Sequence, residues 1–588
     1  MGAVENIITD NLPLWSSSVQ LKSTRGRGSS SKRNLYGIKK LRELILDLAV
    51  RGLLVPQDPN DEPASVLLEN ILAEKKLRGS SKKGRTKNIN SKVLDDIDIG
   101  HTPDGWIVTS ISEIAEIQPK NDIEGECDAS FVEMASISTN YDGSHEQQKR
   151  KWSKIKKGYT HIKNGDIGLA KVTPCFENSK AAIFDNLING FGAATTELHV
   201  ARLAGEFLNT RFILFHLKSA NFLTIGKTKM TGTSGLKRVP KDFFARYPIT
   251  LAPLAEQHRI VTKVDELMAL CDTLEQQQEN SIEAHETLVE TLFSALTNAP
   301  DAEAFQSAWE RVSKHFDTLL TTERSVDKLK ETILQLAIMG KLVPQDPNDE
   351  PASVLLKKIA SEKERLIKDG EIKKKNNSLE TNNIDPFFKI PNNWKMVNLG
   401  KITAITGGKR VSKGYKLKLE PTPFIYIRVT DMKNGTIDDS NLHYIGAEER
   451  EKIKSYIVHE DDIYMTIVGA TIGKCGIVPS KFDNMNLTEN AARIKVISGV
   501  NNKFLYLTLR GEYCQNQFHQ KTNKVGVEKM ALSRLESTKI PLPPLAEQHR
   551  IVAKVDELMA LCDDLKQSLN EAQTTQMQLT DAVVENAF

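Results

Sequence analysis

The twenty residues PLAEQHRIVTKVDELMALCD occur at 253–272 and again at 544–563, where Ala553 replaces Thr262. Apolar residues then recur at alternating steps of four and three, a heptad-like pattern that predicts a long helix with one apolar seam. A helix of about 44 residues would be about 65 Å long at 1.5 Å per residue. Such a seam needs partners, and the other long helix and the shorter repeat helices are the nearest candidates; separate packing of each helix on its own domain is the alternative. The seam residues are Ile260, Val264, Leu267, Cys271 and Leu274 in the first copy and Ile551, Val555, Leu558, Cys562 and Leu565 in the second.

A second repeat shows that the whole chain is built from two tandem units. LVPQDPNDEPASVLL occurs at 54–68 and at 342–356, identical over fifteen residues and offset by 288. An amphipathic helix precedes each copy, with Leu41, Leu44, Ile45 and Leu48 on one face of the first. A glycine follows as a left-handed cap (Gly52 and Gly340), and NDEP restarts a helix with Pro63 in its first turn and Asp61 or Glu62 as the expected cap.

Between these repeats lie two variable segments with mixed strand and helix signals. The predicted domains are therefore an N-terminal extension with repeat helices at 1–95, a variable domain at 96–252, a central helical region at 253–383, a second variable domain at 384–543 and a terminal long helix at 544–588. Charge is unevenly placed along them. The second variable domain carries a net charge of +8, whereas the central region carries −8 and the terminal helix −5. Basic domains favour a polyanionic partner.

Composition and motif searches narrow the function classes. The chain of 588 residues has no apolar run long enough for a membrane helix and no signal peptide, and its six cysteines lack zinc spacing. We interpret them as reduced thiols of a cytoplasmic protein, with Cys271 and Cys562 as small core residues. GATIGKC at 469–475 is too short for a phosphate-binding loop, and neither an amino-methyltransferase motif nor a credible nuclease arrangement occurs. The sequence therefore predicts a chain that is not itself an enzyme.

The duplicated motifs resemble those of type I restriction–modification specificity subunits, including a longer-chain subclass. PLAEQHRIV opening a long helix is similar to the family's P-L-x-E-Q-x-x-I signature, and QLAIMGKLVPQ at 335–345 resembles its helix before a target-recognition domain. EDDIYMTIVGATIGKCGIV at 460–478 resembles a strand–turn pattern of that domain, and NGDIGLAKVTPCFENSKAAI at 164–183 is a degenerate version without the Gly-rich turn. The resemblance covers nearly the whole chain after residue 35.

This resemblance implies an α+β protein: two mixed α/β target-recognition domains separated by long antiparallel coiled-coil-like helices, with an internal pseudo-twofold repeat. Each domain would read one half of a split, asymmetric site in double-stranded DNA. The helical regions would dock two methyltransferase subunits, and restriction–translocase subunits would join the same complex. Cofactors are then expected on the partners and none on this chain: S-adenosylmethionine for methylation, and ATP and Mg²⁺ for restriction. The repeats would stay alike because they meet identical partners.

Polar, basic loops are the candidate DNA contacts, because Lys and Arg hold phosphates while Arg, Asn, Ser and Thr also read base edges. Solvated loops are the alternative interpretation. A helical scaffold that binds only proteins, and a fused restriction enzyme with an unrecognised nuclease, remain alternatives for the whole chain. The candidate residues are Lys227, Lys229, Thr231, Ser234, Lys237 and Arg238 in the first domain and Lys409, Arg410, Lys413, Lys521, Asn523 and Lys524 in the second.

Overall fold

The fold is that of a computed structural model, which divides the chain into two compact units. One unit comprises Met1–Ser281 with Ala572–Phe588, and the other comprises Ile282–Glu571. Each long helix therefore contributes residues to both units. The structure describes residues 3–22, 32–80, 94, 97, 100–204, 207–233, 235–373, 388–520 and 528–587.

Helices frame both units. Those that begin in the first unit are α1 (Ala3–Asp10), α2 (Leu12–Ser17), α3 (Tyr36–Val50), α4 (Ala64–Ser80), α5 (Ile111–Ile114), α6 (Trp152–Ile155), α7 (Thr210–Lys218), α8 (Ala220–Lys229), α9 (Lys241–Arg246) and α10 (Leu254–Thr297). Those that begin in the second unit are α11 (Ala302–Lys314), α12 (Phe316–Leu319), α13 (Glu323–Ile338), α14 (Ala352–Lys368), α15 (Leu399–Ile402), α16 (Ala447–Lys452), α17 (Asn502–Arg510), α18 (Glu512–Gln520), α19 (Leu532–Glu536) and α20 (Leu545–Glu585).

Short strands build a globular domain in each unit. The strands of the first unit are β1 (Gln20–Lys22), β2 (Lys32–Asn34), β3 (Ile107–Ser110), β4 (Ala115–Ile117), β5 (Asp128–Val132), β6 (Gln148–Lys151), β7 (Thr160–Lys163), β8 (Asp166–Ala170), β9 (Ala181–Phe184), β10 (Phe191–Ala194), β11 (Leu198–Leu203), β12 (Thr231–Thr233), β13 (Leu236–Arg238) and β14 (Pro248–Leu251). The strands of the second unit are β15 (Lys395–Asn398), β16 (Thr403–Gly407), β17 (Tyr426–Ile427), β18 (Met432–Lys433), β19 (Thr436–Ile437), β20 (Ile457–Val458), β21 (Ile463–Thr466), β22 (Cys475–Ile477), β23 (Met485–Leu487), β24 (Ala491–Val496) and β25 (Lys539–Leu542).

The two globular domains share one sheet topology although their sequences differ. The first contains a sheet of order β4-β11-β8-β9, and the second contains the corresponding order β16-β24-β21-β22. A second sheet in each domain has a central strand that pairs parallel with one neighbour and antiparallel with the other: β10 lies between β5 and β7, and β23 lies between β17 and β20. The structural repeat therefore extends through the variable segments, although their sequences show little identity.

In each repeat the chain enters and leaves the globular domain through two adjacent, paired strands. In the first domain β3 pairs antiparallel with β14, with Ile107 opposite Leu251. In the second, β15 pairs antiparallel with β25, with Lys395 opposite Leu542. Because the first and last strands of a domain are neighbours, everything between them is a single insertion into the helical framework.

The first repeat helix ends as its sequence predicts. Leu41, Leu44, Ile45 and Leu48 are all fully buried on the predicted face of α3. Gly52 then adopts φ +70°, the left-handed conformation of a helix C-cap. A Cβ atom at Gly52 would lie 2.7 Å from Cγ of Pro103, so both the backbone angle and the close packing require glycine. Gly340, at φ +70°, has the same relationship to Pro391.

Helices α10 and α20 are 44 and 41 residues long, as the heptad-like pattern predicts. Within the first unit α3 runs antiparallel to α10, because Val50 O accepts a hydrogen bond from the hydroxyl of Thr250 while Arg42 lies 2.6 Å from Glu275. In the second unit α13 lies against α20 in the same sense. Of the seam residues, Ile260, Val264, Leu267, Cys271, Ile551, Val555 and Cys562 are buried, and Leu274, Leu558 and Leu565 are half-buried.

Residues near the N-terminus pack against the end of α20 in the first unit. The hydroxyls of Ser18 and Thr580 are 2.7 Å apart in a buried contact, and the Tyr36 hydroxyl donates to Asp581 at 2.7 Å. Trp15, which precedes Ser18 in the sequence, is fully buried, and its indole N–H donates to Ile8 O. The described part of the N-terminal extension is thus a structural element of the first unit.

Candidate nucleic-acid interface and its mounting

The repeated Glu of PLAEQHR fixes the start of each globular domain. The indole N–H of Trp106 donates to Oε2 of Glu256 at 3.0 Å, and that of Trp394 donates to Oε2 of Glu547 at 2.9 Å. Both carboxyl groups are buried, and burial raises the pKa of each despite the indole bonds. The tryptophans and glutamates of the two repeats therefore form matched internal contacts.

The repeated Gln fixes a later part of the same domain. Gln257 is fully buried; its amide donates to Ala252 O at 2.8 Å, and its oxygen accepts from the backbone N–H of Asn209 at 3.0 Å. Asn209 is the N-cap of α7, so this bond ties the domain's helix to α10. The second copy repeats both contacts, because Gln548 donates to Pro543 O at 3.0 Å and accepts from Asn501 N at 2.8 Å.

The His and Arg of the motif also make contacts within their own repeat. The amide of Asn209 donates to Nδ1 of His258 at 3.2 Å, so this exposed histidine binds the N-cap residue of α7. Arg259 pairs with Asp61 at 2.6 Å, and Arg550 pairs with Asp349 at 2.6 Å. The prediction that Asp61 or Glu62 caps the next helix is wrong for Asp61, because its carboxylate binds the long helix instead. In the second repeat, α14 begins after Pro351 without a side-chain cap.

One lysine on α4, and one on the corresponding helix α14, binds the globular domain of its own repeat. Nζ of Lys75 donates to backbone oxygens at the end of α5, including Ala115 O at 3.0 Å. Lys363 of α14 donates likewise to Gly400 O and, at 2.8 Å, to Thr403 O. A cation at the C-terminal end of a helix is favourably placed with respect to the helix dipole. These bonds hold the first short helix of each globular domain against the framework.

In the first domain the candidate DNA residues converge on one loop cluster. Lys227 and Lys229 lie at the end of α8, and the hairpin of β12 and β13 follows directly with Thr231 and Lys237 exposed. The hairpin is anchored because Lys237 N donates to the Thr173 hydroxyl at 3.1 Å. Leu236 at its tip is 47% exposed. This exposed, basic hairpin has the composition expected of a phosphate-contacting loop.

Arg238 is paired with a carboxylate, as Lys227 of the same cluster is with Glu177 at 3.8 Å. Its guanidinium donates to both carboxylate oxygens of Glu197 at 2.9 Å, a bidentate arrangement. The bond from Arg238 holds the pKa of Glu197 below its usual range. In the free protein Arg238 orients the base of the hairpin, and the two N–H groups that bind Glu197 are not available to phosphate or base atoms.

The second domain places its described candidates beside a similar pair. Lys409, Arg410 and Lys413 are exposed after β16, and Arg410 donates to Glu489 at 2.6 Å. Nζ of Lys409 lies 5.6 Å from the centre of the Tyr456 ring. Motif reasoning missed the acidic partners Glu197 and Glu489, which each lie just before the central strand of a sheet. The sequence signal was a Thr-Glu pair at both places.

Four candidates lie outside the described residues: Ser234, Lys521, Asn523 and Lys524. The described residues beside the last three correspond to the hairpin of the first domain. Lys529 bridges Val468, as Arg238 bridges Val172. Gly469 N donates to Glu528 O at 2.8 Å, as Thr173 N donates to Lys237 O at 3.0 Å. Residues 468–469 of the second domain therefore bind residues 528–529 in the same way as residues 172–173 of the first domain bind residues 237–238. The contact is the same although the first domain lacks the Gly-rich turn.

Two further properties of the described residues bear on function. Within them, three or more His, Cys, Asp or Glu side chains are nowhere grouped so that they could hold a metal ion. All six cysteines are free thiols, and burial raises the pKa of Cys271 in the α10 seam to about 12. In the same residues we find no helix with the length and apolar character needed to cross a membrane.

Comparison with known proteins finds one domain family twice along the chain. The family of the type I restriction modification DNA specificity domain matches residues 103–284 and 391–573. The specificity subunits of the type I restriction enzymes EcoAI and EcoEI, both from Escherichia coli, are 45% and 43% identical over all of this chain and of theirs. The HsdS subunit crystal structure from Thermoanaerobacter tengcongensis aligns with a TM-score of 0.44 and 17% identity, covering 83% of this chain and 98% of that one. The chain belongs to the family of type I restriction enzyme specificity subunits.

Proposed function

We propose that this chain recognises a split, asymmetric double-stranded DNA site through its two globular domains, one half-site for each. The observation that carries the proposal is the shared topology of two domains whose candidate contact loops differ in sequence. Equivalent scaffolds with different exposed side chains are suited to read different base sequences, because phosphate contacts position a protein while base contacts specify the site.

The hairpin of β12 and β13 is the proposed contact of the first domain. Its exposed Lys237 and Thr231 are accompanied by Lys227 and Lys229 at the end of α8. The proposed contact of the second domain begins with Lys409, Arg410 and Lys413 and continues through 521–524. Loops with this composition would gain affinity mainly from phosphate neutralisation, which is strongly salt-dependent.

The chain's role in the complex follows from its family. We propose that it carries no catalytic residues and docks two methyltransferase subunits, with restriction–translocase subunits joining them. On this proposal S-adenosylmethionine, ATP and Mg²⁺ bind the partner subunits. The related EcoAI and EcoEI chains are specificity subunits of type I restriction enzymes, and their similarity over the full length supports this assembly.

Sequencing of methylated sites tests the function. Cells would express the chain together with the methyltransferase subunit of its own system, and adenine methylation would be mapped across the genome. A motif of two defined halves separated by undefined bases would support the proposal. Methylation without sequence preference, or methylation unaffected by deletion of this chain, would refute it.

A further inference from the structure

The loop that connects the two sheets of a globular domain has opposite charge in the two domains. It joins β4 to β5 at 118–127 in the first domain and β16 to β17 at 408–425 in the second. The first loop contains one lysine and three acidic residues, whereas the second contains five Lys or Arg residues and one glutamate. The two loops are equivalent in the shared topology, so the contrast is a difference between matched positions. We call residues 408–425 the basic loop.

The backbone of the basic loop is held in place. The hydroxyl of Tyr415 accepts from Gly446 N at 2.7 Å, and Tyr415 packs against the buried cluster around Tyr426. Lys418 and Tyr444 exchange two backbone hydrogen bonds of 2.9 Å. These contacts use the main chain and an aromatic side chain, so they order the loop without using its ammonium groups. A loop that is already ordered loses little conformational entropy when a ligand binds.

Most cations of the basic loop have no carboxylate partner among the residues that the structure describes. Arg410 pairs with Glu489 at 2.6 Å. Lys413 and Lys416 are exposed, Lys418 is half-buried, and none of the three forms an ion pair with a described residue. Their charges are therefore available to an anion from outside the chain.

A second pair of matched positions shows the same contrast. In the first domain Arg238 is neutralised by Glu197 at the base of the hairpin. Lys529 takes the position of Arg238 in the second domain. Asn490 takes the position of Glu197, because the backbone oxygen of each accepts from the residue that follows the neighbouring strand, β8 or β21. An amide thus replaces the carboxylate, and the second domain lacks that neutralising charge.

We propose that the second domain holds DNA of any sequence through its basic loop, whereas the first domain adds affinity mainly at its own half-site. The inference rests on the proposed function, which makes double-stranded DNA the ligand of both domains. Ammonium groups neutralise phosphates whatever the base sequence, and the resulting counterion release supplies essentially all of non-specific binding. An encounter with DNA that lacks the site would therefore engage the second domain first.

Titration of the full chain with a duplex that lacks the recognised motif tests the proposal. Fluorescence anisotropy at several salt concentrations gives the slope of log K against log salt. The loop variant Lys413→Gln, Lys416→Gln, Lys418→Gln should lower the magnitude of this slope by about 2.7, at about 0.9 for each phosphate that is no longer neutralised. The matched variant of the first domain, Lys227→Gln, Lys229→Gln, Lys237→Gln, removes the same charge and should lower it by less than about 1.

Two control variants separate local contact from net charge. The arginine form of the loop variant keeps all three charges and should keep the slope. The triple variant Lys389→Gln, Lys395→Gln, Lys401→Gln removes three exposed lysines around β15, where the same domain joins the helices, and should leave the slope unchanged. If thermal unfolding shows that the loop variant is destabilised, Lys416→Gln alone should still lower the slope by about 0.9.

Equal decreases from the loop variant and the matched first-domain variant would show that both domains hold non-specific DNA, which would overturn the proposal. An unchanged slope in the loop variant would also overturn it. In both cases the proposed function stands if the unaltered chain still prefers a duplex that carries its motif. A chain that binds neither duplex would refute the proposed function, and this inference with it.

Discussion

The side-chain oxygen of Gln257 accepts a hydrogen bond from the backbone N–H of Asn209, 3.0 Å away, and so joins the long helix to a globular domain. Gln548 and Asn501 repeat this bond at 2.8 Å. These bonds give a structural reason for the duplication of the PLAEQHR sequence. Shared partners need not explain its Glu, Gln, His and Arg, because the first three bind their own globular domain and the arginine binds an aspartate of its own repeat.

Loss of this bond should loosen α7 at its N-cap. The variant Gln257→Ala leaves the part-buried N–H of Asn209 and the buried carbonyl of Ala252 without their partner, which should cost about 1–3 kcal/mol. Hydrogen exchange at the amide of Asn209 and the first turn of α7 would report the change. The control is Thr262→Ala, which introduces the residue of the other copy at an exposed site and should stay within about 0.5 kcal/mol. Equal exchange rates in the two variants would show that Gln257 does not hold the domain.

Substitution by alanine should reduce stability more at Gly52 than at Gly158, another glycine with a positive φ angle. Gly158 has φ +82° with nothing near its would-be Cβ, so Gly158→Ala should cost about 1 kcal/mol through strain alone. Gly52→Ala adds the contact with Pro103 at 2.7 Å and should cost more. Thermal unfolding of both variants makes the comparison. Equal losses would mean that the proline yields and that only the backbone angle matters.

Lys237 of the hairpin and Lys227 beside it, at the end of α8, should contribute to DNA binding through charge. The double variant Lys227→Ala, Lys237→Ala should weaken binding and lower the slope of log K against log salt by about one for each phosphate that is no longer neutralised. Lys154→Ala, an exposed lysine on α6 of the same domain, serves as the control. The measurement is a fluorescence-anisotropy titration with specific DNA at several salt concentrations. An unchanged slope in the double variant would remove this hairpin from the interface.

Sequence patterns predicted the helical framework better than the domains. The period of the apolar residues identifies α3, α10 and α20, because each has one apolar face, and Gly52 marks the end of α3. The sheets escaped detection in detail because their strands are short and many are buried on both faces, so they lack a clear alternation. The pairing of Arg238 with Glu197 was also beyond sequence reasoning, since the two residues are brought together by a long-range contact between strands.

Acidification should loosen the first globular domain before the second. Burial lowers the pKa of His199 and His216 to about 4, whereas the unfolded value is near 6.5. Because the folded state resists protonation, the stability contributed by each neutral histidine is present above pH 6.5 and falls as the pH drops towards 4. At pH 5 the loss is about 2 kcal/mol per histidine. In the second domain the described histidines are at least partly exposed.

Hydrogen exchange at pH 7 and pH 5, corrected for intrinsic rates, would compare the two domains. His216→Gln keeps a donor for Thr250 O, the present partner at 3.0 Å, and removes one titrating group. It should reduce but not abolish the pH effect in the first domain, because His199 and His161 are also buried there and burial lowers the pKa of both. Parallel loosening of both domains, or the same loss in the variant, would assign the acid sensitivity to other groups.

The central claim is that each globular domain is an independent reader mounted on a common framework. Its most direct test replaces residues 107–251, from the start of β3 to the end of β14, with the corresponding domain of a related specificity subunit, while Trp106 and Glu256 are retained. Methylated-site sequencing in cells that also express the methyltransferase subunit gives the recognised motif. We expect one half of the motif to change and the other half to stay the same. A change in both halves, or in neither, would contradict it.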